Sequence, residues 1–357
     1  MTWILAGIIL FTAIINKITL KYGFDKLNYN LDVSKKAAEI GEDISVTSTF
    51  ENNKGLTVTF LQVDERYPKG FNVENYNYTL YILPYQRVKR TYQIVGMERG
   101  LYQIKGSSLS LGDFIGFKMV YKNLNVGKDI VILPRKLDIK KSLIPMGSLN
   151  GDVSVRRWII DDPNMILGIR DYTGNEPQKY IHWQSSLKHG KLMVKNFDFT
   201  TDNSIIIVLN IETIKPFWMG IEKESIENSI SLVRGIMEEL ESKKIPYGFI
   251  TNAFGNSSTT SQFYYPGLGR NQLSFLLEML GRINYGISST FEDLLTEIIN
   301  RRNSYSTFVV VTPKVFTSYI DKLNKLSKAS TKVILISLES INMDKLDKGI
   351  IKYGVKL

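Results

Sequence analysis

Residues 168–197 (GIRDYTGNEPQKYIHWQSSLKHGKLMVKNF) hold a dense set of groups able to do chemistry. Arg170, Tyr172, Lys179, His182, Trp183 and Lys188 all make directional contacts. Ser185 and Ser186 follow His182, and Asp171 precedes it. A hydroxyl nucleophile served by a nearby base is therefore the first chemistry to weigh. Residues this close in sequence rarely form a triad, and no Gly-x-Ser-x-Gly elbow surrounds either serine. A structural histidine is the better reading of His182. Arg and Trp are favoured anchors at protein interfaces. The segment thus reads as local packing or as a recognition surface. Lys188, His189, Lys191 and Lys195 form a run that nucleic-acid phosphates or anionic lipid could equally meet.

Elsewhere the usual catalytic tools are scarce. The 357 residues include no Cys and two His. That excludes disulfides, Cys-ligated zinc, iron–sulfur clusters, a thiol nucleophile and a multi-His metal centre. Gly267-Leu268-Gly269 has Gln272 where a third glycine should stand, and Tyr264-Tyr265-Pro266 before it rather than a proper strand. It does not read as a dinucleotide loop. The net charge is +10, and half of it falls in residues 134–195, where 11 basic side chains face 6 acidic ones. A basic surface serves nucleic acid, anionic lipid or an acidic protein, or is simply solvated.

The elements that must position these groups fall into blocks. Trp3 to Leu20 is an 18-residue, largely apolar run of about 27 Å as a helix. With Trp3 and Tyr22 at its ends, it reads as a membrane anchor. Lys17, Lys21 and Lys26 lie on its C-terminal side, which predicts a single pass, a short outer N-terminus and a cytoplasmic body. Strands follow over Leu27–Val33, Ile44–Phe50, Leu56–Val63, Tyr78–Leu83, Gln86–Val95, Leu101–Ser110 and Ile130–Leu133. Seven short strands at this spacing predict an immunoglobulin-like β-sandwich. From Ser204 onward strands and helices alternate, which predicts an open parallel sheet covered on both faces. Ser289 with Glu292 reads as a capping box, and Thr312-Pro313 as the start of a helix. The expected architecture is α+β and multidomain. It runs as an anchor (1–22), a β-sandwich (23–135), the basic segment (136–200) and an α/β domain (201–357).

The basic segment resembles the signature of the bacterial family called domain of unknown function 58. Arg170, Tyr172, Gly174, Ile181, His182, Trp183 and Ser186 match its pattern. Asn175, Lys179, Leu187 and Lys188 replace the usual Asp, Arg, Ala and Arg. Asp64 to Gly70 resembles the family's Asp-x-x-Pro-x-Gly turn, and Gly112 to Phe117 its Asp-Phe-x-Gly loop. Family members usually show two adjacent N-terminal spans, whereas one is read here. The resemblance implies a C-terminal domain like von Willebrand factor A. Such domains hold a metal through Asp-x-Ser-x-Ser after the first strand. Here that place reads Asn210-x-Glu212-x-Ile214, with Thr312 in the later loop, so the metal site is degenerate. Mg²⁺ favours octahedral oxygen ligands supported by carboxylates, so no metal and no cofactor are expected.

The resemblance also implies a partner, an AAA+ ATPase of the MoxR type. The chain is therefore expected to be a membrane-anchored, non-enzymatic adaptor in cell-envelope or complex-assembly work. The alternative is a metal-dependent ligand-binding A-domain. Nucleic acid is not the expected partner.

Overall fold

Strict alternation between core and solvent builds the N-terminal half. In the computed structural model, residues 2–113, 118–146, 166–172, 181–197, 204–254, 262–301 and 307–355 are described. The chain divides into two units, Met1–Arg135 with Leu277–Ile283, and Lys136–Leu276 with Asn284–Leu357. Residues 136–200, expected as a segment of their own, belong where described to the second unit.

The first unit opens with α1 (Thr2–Tyr22), a single continuous helix. Its Ile4, Ile8, Ile9, Leu10, Phe11 and Ile14 are exposed. Among the described residues no helix is long and apolar enough to cross a membrane, so the expected span lacks support there. Asn16 and Lys17 break the apolar run one turn before Leu20. Lys54 fixes the exit from the helix, its ammonium donating to the carbonyls of Gly23 and Asp25, both at 2.7 Å. Burial pushes the Lys54 pKa down.

Eight strands follow: β1 (Leu27–Val33), β2 (Ala37–Ala38), β3 (Asp43–Asn52), β4 (Val58–Arg66), β5 (Asn75–Ile82), β6 (Arg87–Val95), β7 (Gly100–Gly112) and β8 (Met119–Ile132). One sheet has the order β1-β3-β6 and the other β2-β8-β7-β4-β5. They pack as a sandwich. Leu31, Ile44 and Ile94 of the first sheet meet Ile104, Ile130 and Ile132 of the second. The expected strand at Ile130–Leu133 is only the end of β8, whose first half is mostly exposed and hides its alternation.

A polar hub ties the two sheets together. Glu65 on β4 is fully buried. Its Oε1 accepts from Tyr29 (2.7 Å) and Ser48 (2.5 Å) of the opposite sheet and from Tyr78 (2.9 Å) of its own. Its Oε2 accepts from Tyr92. Hydroxyl donors meet the rule that a buried carboxylate must be hydrogen-bonded. Burial first, with Glu65 adding to it, raises the pKa of Tyr29 and Tyr78 well above the ordinary tyrosine value.

The second unit holds α2 (Ile139–Ser142), β9 (Leu143–Met146), β10 (Ile166–Asp171), α3 (Trp183–His189), β11 (Met193–Phe197), β12 (Ile205–Leu209), α4 (Lys223–Ser242), β13 (Tyr247–Thr251) and β14 (Gln262–Gly267). Then come α5 (Arg270–Arg282), which from Leu277 onward belongs to the first unit, α6 (Phe291–Asn300), β15 (Thr307–Thr312), α7 (Thr317–Ala329), β16 (Lys332–Ser337) and β17 (Ile350–Val355). The main sheet runs β14-β13-β12-β15-β16-β17-β9. Its five central strands are parallel and its two outer ones antiparallel. The expected open parallel sheet is present in the five central strands, and an antiparallel strand is added at each edge. Each antiparallel edge carries one proline, Pro145 or Pro266, which lacks an N–H and discourages further strand pairing. β12 is buried along its whole length, as a central parallel strand should be.

Two expected helix starts move. The cap of α6 is Thr290, whose hydroxyl accepts from the Asp293 N–H at 3.2 Å. Ser289 lies one residue outside, and Glu292 turns instead to Lys215. α7 begins at Thr317 rather than at Thr312-Pro313. The intervening bend is held by Thr312 Oγ1 donating to the Lys314 carbonyl at 2.8 Å.

Candidate functional site

In open α/β sheets ligands meet the carboxyl ends of the strands. Here β12, β13, β15 and β16 deliver Asn210, Asn252, Thr312 and Ser337 to that end, all fully buried. Parallel register from Ile205↔Thr307 to Leu209↔Val311 sets Asn210 and Thr312 side by side.

Asn210, Asn252 and Thr312 form a closed network with Glu212, while Ser337 turns to the Glu339 carbonyl at 2.7 Å. Asn210 Nδ2 donates to Thr312 Oγ1 at 2.9 Å. Asn210 Oδ1 accepts from Asn252 Nδ2 (2.9 Å) and from the Glu212 N–H (3.0 Å). Asn252 Oδ1 accepts from the Ile211 N–H at 3.0 Å. The fully buried Glu212 carboxylate accepts from the Phe291 N–H at 2.8 Å, at the start of α6. Its other oxygen takes the Tyr319 hydroxyl and faces the Lys215 ammonium at 3.1 Å. Lys215 also reaches both Glu292 oxygens at 2.6 Å and sits 4.8 Å from the centre of the Tyr319 ring. Burial, reinforced by the Glu212 charge, raises the Tyr319 pKa well above its ordinary value.

A second ion cluster flanks the first. Lys314 bridges Glu222 (2.8 Å) and Glu339 (3.0 Å). The hydrogen bond from Lys314 holds the Glu222 pKa below its ordinary value, and the same bond raises that of Lys314. Burial pushes Glu292 upward, but hydrogen bonds from Lys215 and Ser318 outweigh it and leave its pKa lowered.

Asn210, Glu212 and Thr312 are therefore brought together, but not as a metal site. Their one carboxylate faces an ammonium, a hydroxyl and an amide N–H. This donor set does not fit Mg²⁺, which wants near-octahedral oxygens. Among the described residues no cluster of three His, Asp or Glu side chains is placed to hold a metal. Gly267-Leu268-Gly269 is also occupied, since the Gly269 N–H donates to Glu241 at 3.1 Å. A carboxylate stands where a phosphate would have to sit.

Beside this network the chain projects an apolar lip. After the cis Lys215–Pro216 bond, a single 3-10 turn (Phe217–Met219) is closed by the Met219 N–H donating to the Pro216 carbonyl at 3.1 Å. Trp218 is 74% exposed and Met219 72%, with Ile221 exposed next to them. Phe217, Trp218 and Ile221 line a cavity of about 350 Å³ with Tyr285 and Ile287. Sequence reasoning missed this lip. Its signal was a non-periodic cluster, Phe217-Trp218-Met219-Gly220-Ile221, in the loop between the buried strand β12 and α4.

The basic segment is a small scaffold of its own. β10 and β11 pair antiparallel, with Ile181 bridging to Val194. His182 caps α3, its Nδ1 accepting from the Ser185 N–H at 3.2 Å. Ser186 is buried; its hydroxyl donates to the His182 carbonyl (3.0 Å) and accepts from the Met193 N–H (2.8 Å). Asp171 pairs with Lys191 at 2.6 Å. The serine, histidine and aspartate weighed as a catalytic set thus serve separate structural contacts. Tyr172 is half-buried and its N–H donates to the Leu192 carbonyl at 3.0 Å. Trp183 (63%) and Leu187 (84%), one helical turn apart, face solvent with Lys188. Gly174, Lys179 and the Arg170 side chain lie outside the described residues.

No family model matches the chain, and no curated protein does. Among solved structures, the chain is similar to the CARDB domain of the PF1109 protein from Pyrococcus furiosus, determined in complex with di-metal ions. The identity is 16%, over 30% of this chain and 91% of that one, with a TM-score of 0.22. It is also similar to the solution NMR structure of that domain, at 14% identity over 29% and 94% of the two chains, with a TM-score of 0.20.

Proposed function

We propose that this chain is a membrane-associated, non-enzymatic adaptor that docks a protein partner on the carboxyl-end face of its α/β unit. One observation carries the reading: an exposed apolar lip, Trp218, Met219 and Ile221, stands beside a polar network with no uncommitted carboxylate. Such a face offers burial and shape, not a nucleophile. Solvent-exposed Trp and Met beside a cavity are the kind of anchors that dominate interface energies. The Trp183–Leu187 face of α3 offers a further docking element.

The resemblance to domain of unknown function 58, with its von Willebrand factor A-like part, points to an AAA+ ATPase of the MoxR type as the partner. Cell-envelope or complex-assembly work would follow from it. The apolar surface of α1 supports membrane attachment, with Lys17, Lys21 and Lys26 set to meet anionic head groups on the cytoplasmic side. The metal-dependent alternative is not favoured by the Glu212–Lys215 contact.

Co-purification tests the reading. The full chain from membranes is expected to recover the ATPase under crosslinking, and the double substitution Trp218→Ser with Met219→Ser to lose it. Recovery unaffected by the double substitution would remove the docking face.

A further inference from the structure

The β-sandwich unit carries a second feature, unrelated to the docking face. A cleft of about 710 Å³ opens on β7 and β8, next to the end of β4. A bulge makes it. Register jumps from Ile104↔Lys128 to Gly106↔Asn125, leaving two residues of β8 opposite one of β7. Gly127 takes the left-handed conformation (φ 59°), and Gly106 sits at φ 140°, where a Cβ would lie 1.8 Å from the Leu124 carbonyl oxygen. Bulges of this kind bend a ribbon and re-aim its side chains, often beside a site.

The lining is rich in donors. Lys105, Gln103 and Asn125 reach the cleft and make no side-chain hydrogen bond or ion pair among the described residues. Arg66 uses its Nε on Asp64 at 2.8 Å, and its guanidinium has further donors to offer. None of the lining residues is acidic, and Pro68 and Leu124 supply an apolar part. Two cations and two uncommitted amides call for an oxyanion. The volume is far more than a bare phosphate needs and lies in the range of organic-ligand pockets.

We propose that this cleft binds an organic phosphate monoester, its phosphate held by Lys105 and Arg66 and its organic part laid against Pro68 and Leu124. A soluble metabolite and a phospholipid head group share this chemistry.

The test titrates the full chain in detergent with glycerol 3-phosphate and with inorganic phosphate. A second arm compares neutral phosphatidylcholine vesicles with vesicles that also contain phosphatidic acid. Lys105→Glu is set against Lys89→Glu, an exposed site on β6 with the same charge change. A charge-assisted contact predicts roughly a 10-fold or greater loss for Lys105→Glu and none for Lys89→Glu. A Lys105-dependent response in either arm supports the proposal, and the responding arm names the source. No binding in both arms, equal loss in the two variants, or inorganic phosphate bound as tightly as the ester would overturn it. Both lysines are exposed, so matched thermal melts will separate loss of binding from loss of fold.

Discussion

The Lys215 ammonium stands 3.1 Å from a fully buried Glu212 oxygen and also binds Glu292. This contact turns the one carboxylate of the strand-end cluster inward and closes that end of the sheet to cations. Removing the ammonium leaves a buried charge with only the Tyr319 hydroxyl and the Phe291 N–H. Lys215→Met is expected to destabilise the α/β unit by about 2 kcal/mol, less than for a fully buried pair because Lys215 keeps some solvent. Glu212→Gln in the same background should recover part of the loss. Denaturant unfolding of the single and double variants measures the coupling.

The flanking ion pairs set a pH window. Glu222 and Glu292 have lowered pKa values in the folded chain. Their contribution is therefore present above the ordinary carboxylate value and lost as pH falls through the lowered folded values. Lys314 has a raised pKa, so its contribution is complete below the ordinary lysine value and lost as pH rises through the folded value. Thermal midpoints are expected to be flat near neutrality and to fall in acid, and Lys314→Met should flatten the acid limb.

In the sandwich, four hydroxyls depend on Glu65. Glu65→Leu should cost about 3 kcal/mol, since buried donors would be left without an acceptor. Glu65→Gln, which keeps an acceptor, should cost about half that. Hydrogen exchange at β3 and β4 amides would report the loss locally, with the α/β unit unchanged.

Ser186 and Trp183 sit four positions or fewer apart yet should behave oppositely. Ser186→Ala removes the hydroxyl that joins α3 to β11 and should cost about 1–2 kcal/mol. Trp183→Ala should leave the melt unchanged while weakening partner capture. Equal melting losses would mean that Trp183 is packing, not surface.

How much of this could be read in advance depended on how local each signal was. β1 shows its bounds because Leu27–Val33 alternates cleanly within itself. β12 shows because SIIIVL has no other use than a buried strand. The edge β9 does not show, because its pairing partner β17 lies at the other end of the chain, and the edge β14 does not show, because Phe263-Tyr264-Tyr265-Pro266 carries no alternation. The same holds for the sites. His182 and Ser186 stand out in the sequence, and in the structure they cap α3 and tie it to β11. Asn210, Glu212 and Thr312 do converge, while Lys215, the residue that decides their chemistry, carries no pattern of its own. Glu65 was invisible for the same reason: nothing in the sequence links it to Tyr29 or Tyr92.

The central claim is that the Trp218 face receives the ATPase. A photo-crosslinking residue placed at position 218 of the full chain, with a control at position 348 before β17, tests it most directly. Crosslinked peptides identified by mass spectrometry should belong to an AAA+ ATPase at 218 and be absent at 348. Capture of the ATPase from neither position, or equally from both, would contradict the account.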